Sequence, residues 1–242
     1  MGRSLKYEIP GVDPRVPLSD VAEKGWTSVF ASTASGRAPF QPDGLEEKPR
    51  RVLEIGFGRG EFLLAMAARE PEVQFIGIEV SWKRTLKMAR KVARAKLENV
   101  RLVDDRAEHS IQALFEPESL EAIWINFTDP WPKTRHAHRR LIQSGFVGDA
   151  AVALESSGKL FVATDDVPYA HQIDEVLSGA ARLQNLYAPC PFVSEVRGRA
   201  RTGYEDQWRS EGRPLHFFAY GPSPHSHAGR ATCGRAKRGG AK

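Results

Sequence analysis

Chemistry-bearing residues in this sequence gather where apolar runs end. Residues 52–61 read Val-Leu-Glu-Ile-Gly-Phe-Gly-Arg-Gly-Glu, so one acid, Glu54, sits inside an apolar run that opens into Gly56, Gly58 and Gly60. Glycines at such a turn let the backbone bend tightly and approach a ligand without a Cβ clash. A dinucleotide fingerprint needs another glycine three residues after Gly58. That position is Glu61, so NAD and FAD fit poorly. An acid followed by this glycine pattern fits S-adenosylmethionine better, a ligand with an amino group, a carboxylate and a sulfonium but no pyrophosphate. Glu79 ends the next apolar run, where a carboxylate can accept hydrogen bonds from both ribose hydroxyls.

The second cluster is Ile-Trp-Ile-Asn-Phe-Thr-Asp-Pro-Trp-Pro-Lys, residues 123–133. If its apolar start is a strand of an open α/β sheet, the segment leaves the carboxyl edge where ligands bind, and Asp129 comes beside the methyl donor. Pro130 and Pro132 stiffen the turn. Trp131 can stack on a base or cover the cofactor. Lys133, Arg135, His136, His138, Arg139 and Arg140 follow, a basic stretch suited to phosphates. The plainer alternative is an acid capping the next helix with solvated bases beyond.

These clusters need strands and helices in alternation, and the sequence supplies them. Apolar runs at 52–55, 73–80, 100–103, 120–127, 159–164 and 215–220 predict strands. Helices are expected over 61–69, from a Ser81 cap to about Leu97 with Asn99 at its end, around 111–115, from His138 to Leu154 with Gly158 stopping it, and over 168–177. The order implies βαβ units: a Rossmann-like, doubly wound, mostly parallel sheet of seven strands with helices on both faces. Residues 1–49 are rich in Pro, Gly, Ser and charge, with apolar pieces at Val16–Leu18 and Trp26–Phe30, and predict an arm packed on a domain of residues 50–220. Residues 221–242 read as a basic, disordered tail.

The chain has 242 residues, 41% of them hydrophobic, enough for one generous α/β domain. Its 35 Lys and Arg against 30 Asp and Glu give a net charge of +5, which suits an anionic partner. Two cysteines, Cys190 and Cys233, argue against a disulfide framework and for a reducing compartment. No apolar run approaches the roughly 20 residues of a membrane helix, and the N-terminus has no apolar signal region. The expectation is a soluble, cytoplasmic protein without a membrane or metal partner. His225, His227 and Cys233 do not follow zinc spacing.

EIGFGRGEF, GIEV, NFTDPWPK followed by RR, ATDDVPYA, and TGYE with Gly212 beyond it together resemble the bacterial tRNA (guanine-N7)-methyltransferase family over about residues 50–220. The resemblance implies S-adenosylmethionine as cofactor, tRNA as partner, and methyl transfer to N7 of the variable-loop guanosine, position 46. It implies cofactor contacts at Glu54, Gly56, Gly58, Gly60, Glu79, Arg106, Ala107 and Asp129. It assigns catalysis to Asp129, substrate contacts to Lys133 and Asp165, and closure over the guanine to Thr202, Gly203, Tyr204 and Glu205. It is compatible with a monomer or a homodimer. The chain departs from the family at Thr128, where a proline is usual, and at Arg106, where Asp or Asn precedes the alanine; Asp104 and Asp105 stand close by.

Guanine N7 has a free lone pair, so its methylation needs alignment rather than a strong base, and orientation can supply on the order of 7–11 kcal/mol. Carboxylates at Asp129, Asp165 and Glu205 would stabilise the positive charge that develops on the ring. For RNA, the candidates are Arg197, Arg199 and Arg201, the bases of the second predicted helix (Lys83, Arg84, Lys87, Arg90, Lys91, Arg94 and Lys96), and the termini (Arg3, Lys6, Arg15, Arg230, Arg235, Lys237 and Arg238). Two other readings stand open: a methyltransferase acting on another nucleic acid or on protein, and an RNA-binding paralogue without catalysis.

Overall fold

The computed structural model describes residues 8–31 and 48–224. Its frame is a seven-stranded sheet: β1 (Arg51–Ile55), β2 (Gln74–Ile78), β3 (Val100–Val103), β4 (Leu120–Asn126), β5 (Leu154–Thr164), β6 (Leu183–Asn185) and β7 (His216–Pro222). The order is β3-β2-β1-β4-β5-β7-β6. The first five strands pair in parallel, and β7 runs antiparallel to both neighbours. β1 and β3 are buried at every residue, as expected of apolar runs in a parallel sheet covered on both faces.

Seven helices accompany the sheet among the described residues: α1 (Leu18–Ala31), α2 (Glu61–Arg69), α3 (Trp82–Ala95), α4 (Ala107–Leu114), α5 (Ser144–Ala153), α6 (Val167–Ser178) and α7 (Gly203–Ser210). Leu53, Ile55, Ile76 and Ile123 pack against Trp26, Ile111, Val147 and Ile173 from α1, α4, α5 and α6. On the other face, Val52, Phe75 and Leu102 meet Leu63 and Ala67 of α2 and Met88 and Val92 of α3. Strand order reverses between β1 and β4, so a crevice opens at the carboxyl ends of those strands.

The predicted N-terminal arm joins the body's core. The Leu102 amide donates to the Pro14 carbonyl and the Val16 amide to the Leu102 carbonyl, each at 2.9 Å, which extends the β3 edge. Trp26 is buried, stacks on Phe115 with ring centroids 5.6 Å apart, and donates to the Leu114 carbonyl at 2.7 Å. Gly25, at φ 70°, kinks α1, so its apolar residues follow no single helical period and periodicity does not reveal the helix. Arg3, Lys6 and residues 225–242, with their histidines, Cys233 and basic residues, lie outside the described residues.

Several expected boundaries are corrected. Instead of one helix from His138 to Leu154, a 3-10 helix (Thr134–Arg139) is followed by α5. Arg140 between them is extended, because its guanidinium donates to the Pro130 carbonyl at 2.7 Å and to Gln172 at 2.5 Å. Gly158 stops no helix. It lies inside β5, where register shifts from Leu120↔Leu154 to Ala122↔Lys159, and a Cβ there would come within 2.9 Å of the Leu120 carbonyl. The Ser81 side chain does not cap α3, and Lys96, at φ 54°, ends it. Asn99 instead donates to the carbonyls of Ala67, Glu70 and Val73, bracing the turn between α2 and β2.

Candidate active site

The glycine turn folds as its composition requires. Gly56, Gly58 and Gly60 all have positive φ, at 70°, 53° and 74°. Gly60 also has no room: a Cβ would lie 2.0 Å from the Met88 sulfur. The Glu79 carboxylate fixes the turn, accepting from the Gly58 and Ser81 amides at 3.0 Å each, with Arg84 3.7 Å away. Each of its oxygens keeps a second lone pair for a hydroxyl donor.

Glu54 is buried below the turn. Its Oε1 accepts from Asn126 Nδ2 at 3.0 Å, while Oε2 is buried without a partner. Burial pushes its carboxyl up to about 7, opposed by the Asn126 hydrogen bond, the Arg199 charge and the Leu63 amide. A buried acceptor facing a cleft calls for a donor, and an ammonium group meets that need.

The cleft has a volume of about 960 Å³. Its wall combines Glu54, Gly56, Gly58, Gly60 and Glu79 with Asp105, Arg106 and Ala107, then Asp129 and Trp131, then Asp165, Thr202, Tyr204, Trp208 and Arg213. Asp129 Oδ1 accepts from the Trp131 amide at 3.0 Å. That bond closes a tight turn at Trp131, which takes a φ of 42°, and Phe127 just past the end of β4 takes one of 54°, strain of the kind found at functional sites. Asp165 pairs with Arg213 at 3.1 Å. Thr128 fits where a proline was expected: a Cβ added to Gly56 would lie 3.1 Å from its methyl group, so the two side by side fill the turn. Beside Arg106, Asp105 lines the cleft.

Helix α7 carries the Thr-Gly-Tyr-Glu element. Thr202 caps it, accepting from the Glu205 amide at 3.0 Å. The Gly203 amide donates to Glu61 Oε2 at 2.7 Å, and a Cβ on Gly203 would stand 2.4 Å from that oxygen. Glu61, the residue that excluded a dinucleotide pattern, therefore ties α7 to the glycine turn. Tyr204 stacks on Trp208 with centroids 5.3 Å apart, and the Arg59 guanidinium lies over its ring at 5.0 Å.

Three of the expected residues stand outside the cleft lining. Glu205 is buried away from the cleft, bonded to Arg199 and at 3.0 Å to Arg209, so both of its oxygens are engaged by arginines. Arg199, expected to meet phosphates, has a side chain only 4% exposed. Lys133 is exposed and does not line the cleft. Asn126, Trp208 and Arg213 were missed. Asn126 carried one signal, a polar residue closing an apolar strand; the other two become site residues only through the fold.

α3 bears Lys83, Arg84, Lys87, Arg90, Lys91 and Arg94 and no acidic residue. Among the described residues only Arg84 of these forms an ion pair. No helix there is long and apolar enough to cross a membrane.

The residues fit the cofactor that the glycine pattern implied. Glu54 Oε2 awaits a donor, Glu79 has lone pairs to spare, and a Cβ at Gly58 would meet nothing nearer than 3.9 Å, so the turn is open above. Fold and site together define a Rossmann-like, S-adenosylmethionine-dependent methyltransferase. A family model described as a putative methyltransferase matches residues 48–218. A Halorhodospira halophila protein named tRNA (guanine-N(7)-)-methyltransferase is 36% identical over 200 residues, 82% of this chain and 87% of its own. A Mycobacterium avium protein of the same name is 38% identical over 217 residues, covering 85% of this chain and 83% of its own. A third, from Thermotoga maritima, is 34% identical over 209 residues, and the match takes in 86% of this chain and 59% of the relative's length. The chain belongs to the tRNA (guanine-N7)-methyltransferase family. In fold it is similar to the 16S rRNA methyltransferase KamB, with a TM-score of 0.55 at 17% identity over 72% of this chain and 88% of the other. It is likewise similar to the aminoglycoside resistance methyltransferase NpmB1, with a TM-score of 0.53 at 18% identity over 74% and 89%.

Proposed function

We propose that this protein transfers the methyl group of S-adenosylmethionine to N7 of a guanine in tRNA, the variable-loop guanosine at position 46, in the cytoplasm. The carrying observation is that one cleft joins the glycine turn and its two acids to Asp129, Asp165, Thr202 and Tyr204, side chains from separate segments of the chain. When bound, the cofactor supplies an electrophilic methyl group. Glu54 would hold its ammonium through the unpartnered Oε2, and Glu79 would hold the ribose hydroxyls. Asp105, Arg106 and Ala107, which line the cleft, would border the adenine.

The protein's own task is alignment. Guanine N7 needs no deprotonation, so no general base is required. Trp131 and Tyr204 provide flat surfaces for the base. Asp129 keeps Oδ2 available after Oδ1 has taken the Trp131 amide, and with Asp165 it supplies negative charge where the guanine ring becomes positive. Carboxylates also suit the adjacent N1–H and 2-amino donors of guanine. The RNA backbone meets Arg139 at the cleft rim and the basic face of α3.

The test is to map N7-methylguanosine in tRNA after incubation with protein and cofactor, with DNA and protein as alternative acceptors. Methylation confined to a variable-loop guanine supports the proposal, and methylation of another acceptor class sinks it. Asp129→Ala is expected to lower the single-turnover rate by at least about 100-fold. A near-normal rate removes Asp129 from its assigned role.

A further inference from the structure

A continuous polar chain crosses the protein from the cofactor's acid to α7. Glu54 Oε1 accepts from Asn126 Nδ2 at 3.0 Å, and Asn126 Oδ1 accepts from Arg199 Nη2 at 2.5 Å. Arg199 Nη1 donates to Glu205 Oε2, and Arg209 donates to Glu205 Oε1 at 3.1 and 3.0 Å. The Arg199 guanidinium is enclosed by the rings of Phe62, Trp124, Phe127 and Phe217, at 5.4, 5.9, 6.0 and 5.1 Å. Arg199 and Glu205 side chains are each 4% exposed.

We propose that Arg199 is a positioning residue that, through Asn126, couples occupation of the Glu54 site to the ordering of α7. The inference rests on the methyl-transfer reading above. Asn126 is the directional link. Its amide presents the donor to Glu54 and the acceptor to Arg199, and reversing it breaks both bonds. A pair serving packing alone would need only Glu205 and the rings. Here the arginine also spends a donor on the residue that holds the cofactor's acid.

The open end of the chain supplies the switch. Glu54 Oε2 is buried and lacks a donor. A cation placed there fixes the Glu54 carboxylate in its ionised form and so strengthens its hold on Asn126. Asn126 then holds Arg199 in one rotamer, and Arg199 holds Glu205 and the first turn of α7, which carries Tyr204 into the cleft. Filling the cofactor site thereby stiffens the element that closes on the base, which favours binding of cofactor before RNA. Coupling of this kind is reciprocal and usually amounts to about fivefold or more.

Hydrogen exchange of residues 203–210 tests this, with and without saturating S-adenosylhomocysteine, in the wild type, Arg199→Lys and Asn126→Ala. Lysine keeps the charge but lacks the planar fork whose separate nitrogens reach Glu205 and Asn126. Asn126→Ala cuts the link while leaving the Arg199–Glu205 pair, so the test survives if the arginine variant folds poorly. The wild type should gain at least about fivefold protection in α7 on adding ligand, and both variants should lose that gain while still binding the ligand. An equal gain in Asn126→Ala overturns the coupling, because α7 would then be ordered by direct contact alone. No binding by the wild type removes the functional reading and this inference with it.

Discussion

Glu205→Gln separates a base-reading role from an internal one. In the folded protein both Glu205 oxygens face arginines, and the carboxylate is the anionic partner of a guanidinium enclosed by four rings. Glutamine preserves the shape and one acceptor but removes the charge. Taking away one partner of a buried pair costs about 3–5 kcal/mol, and the remaining amide oxygen puts this variant near the lower end. The rings give no compensation, since they touch Arg199 before and after the change. For a domain of this size about 3 kcal/mol lowers the melting temperature by roughly 6–12 °C. Arg209 adds little, as its side chain is 29% exposed and water can solvate it. The double variant Arg199→Met with Glu205→Leu removes both charges and should recover most of that loss. Thermal unfolding followed by circular dichroism, without ligand, reads both. A single-variant melting temperature within about 2 °C of wild type, with methylation abolished, would refute the internal role and return Glu205 to the guanine.

Other expectations follow from the same contacts. Burial holds Glu54 at about 7, above its ordinary 4.5, with Asn126, Arg199, the Leu63 amide and Glu79 as the groups around it. An acid whose pKa is raised by folding adds stability below its unfolded pKa and loses it as pH rises, so stability should fall by about 3 kcal/mol between roughly pH 4.5 and 7. Denaturant midpoints across that range should show this limb in the wild type and not in Glu54→Gln, and S-adenosylhomocysteine should bind more tightly at pH 8 than at pH 6. Gly203→Ala forces the Gly203–Glu61 bond apart, and losing about 1.5–3 kcal/mol there lowers kcat/KM for tRNA roughly tenfold to hundredfold. Lys87→Glu with Arg94→Glu on α3 should raise KM for tRNA and flatten its salt dependence by roughly one unit for each phosphate no longer neutralised, with kcat retained. Trp26→Ala should cost about 3–5 kcal/mol in chemical unfolding, since α1 is part of the core; a cost near zero would make it a detachable arm.

Local rules carried much of the architecture. β1 to β4 and the helices between them follow from apolar runs and glycine punctuation, which act over a few residues. The glycine turn was legible for the same reason: three alternate glycines with positive φ and an acid in the preceding strand have few other uses. What failed was set by distant partners. The expected helix from His138 to Leu154 breaks because Arg140 reaches Pro130 and Gln172, and Gly158 lies in a strand because Leu120 approaches it. α1 and α7 were invisible to periodicity, one kinked at Gly25 and the other with Glu205 as its only buried residue.

Charge misled most. Arg199 and Glu205 looked like surface groups awaiting RNA and base, since arginine and glutamate are seldom buried unless paired. Nothing in the linear order says that a strand-end asparagine and four aromatic rings will surround that arginine. The sequence by itself determined the glycine turn and the places of Glu54, Glu79 and Asp129 at or near strand ends, because those positions depend on the strands themselves. Tertiary structure alone decided which charged side chains face the cleft and which hold it together. That choice depends on desolvation and on partners brought together from more than 70 residues away in the chain.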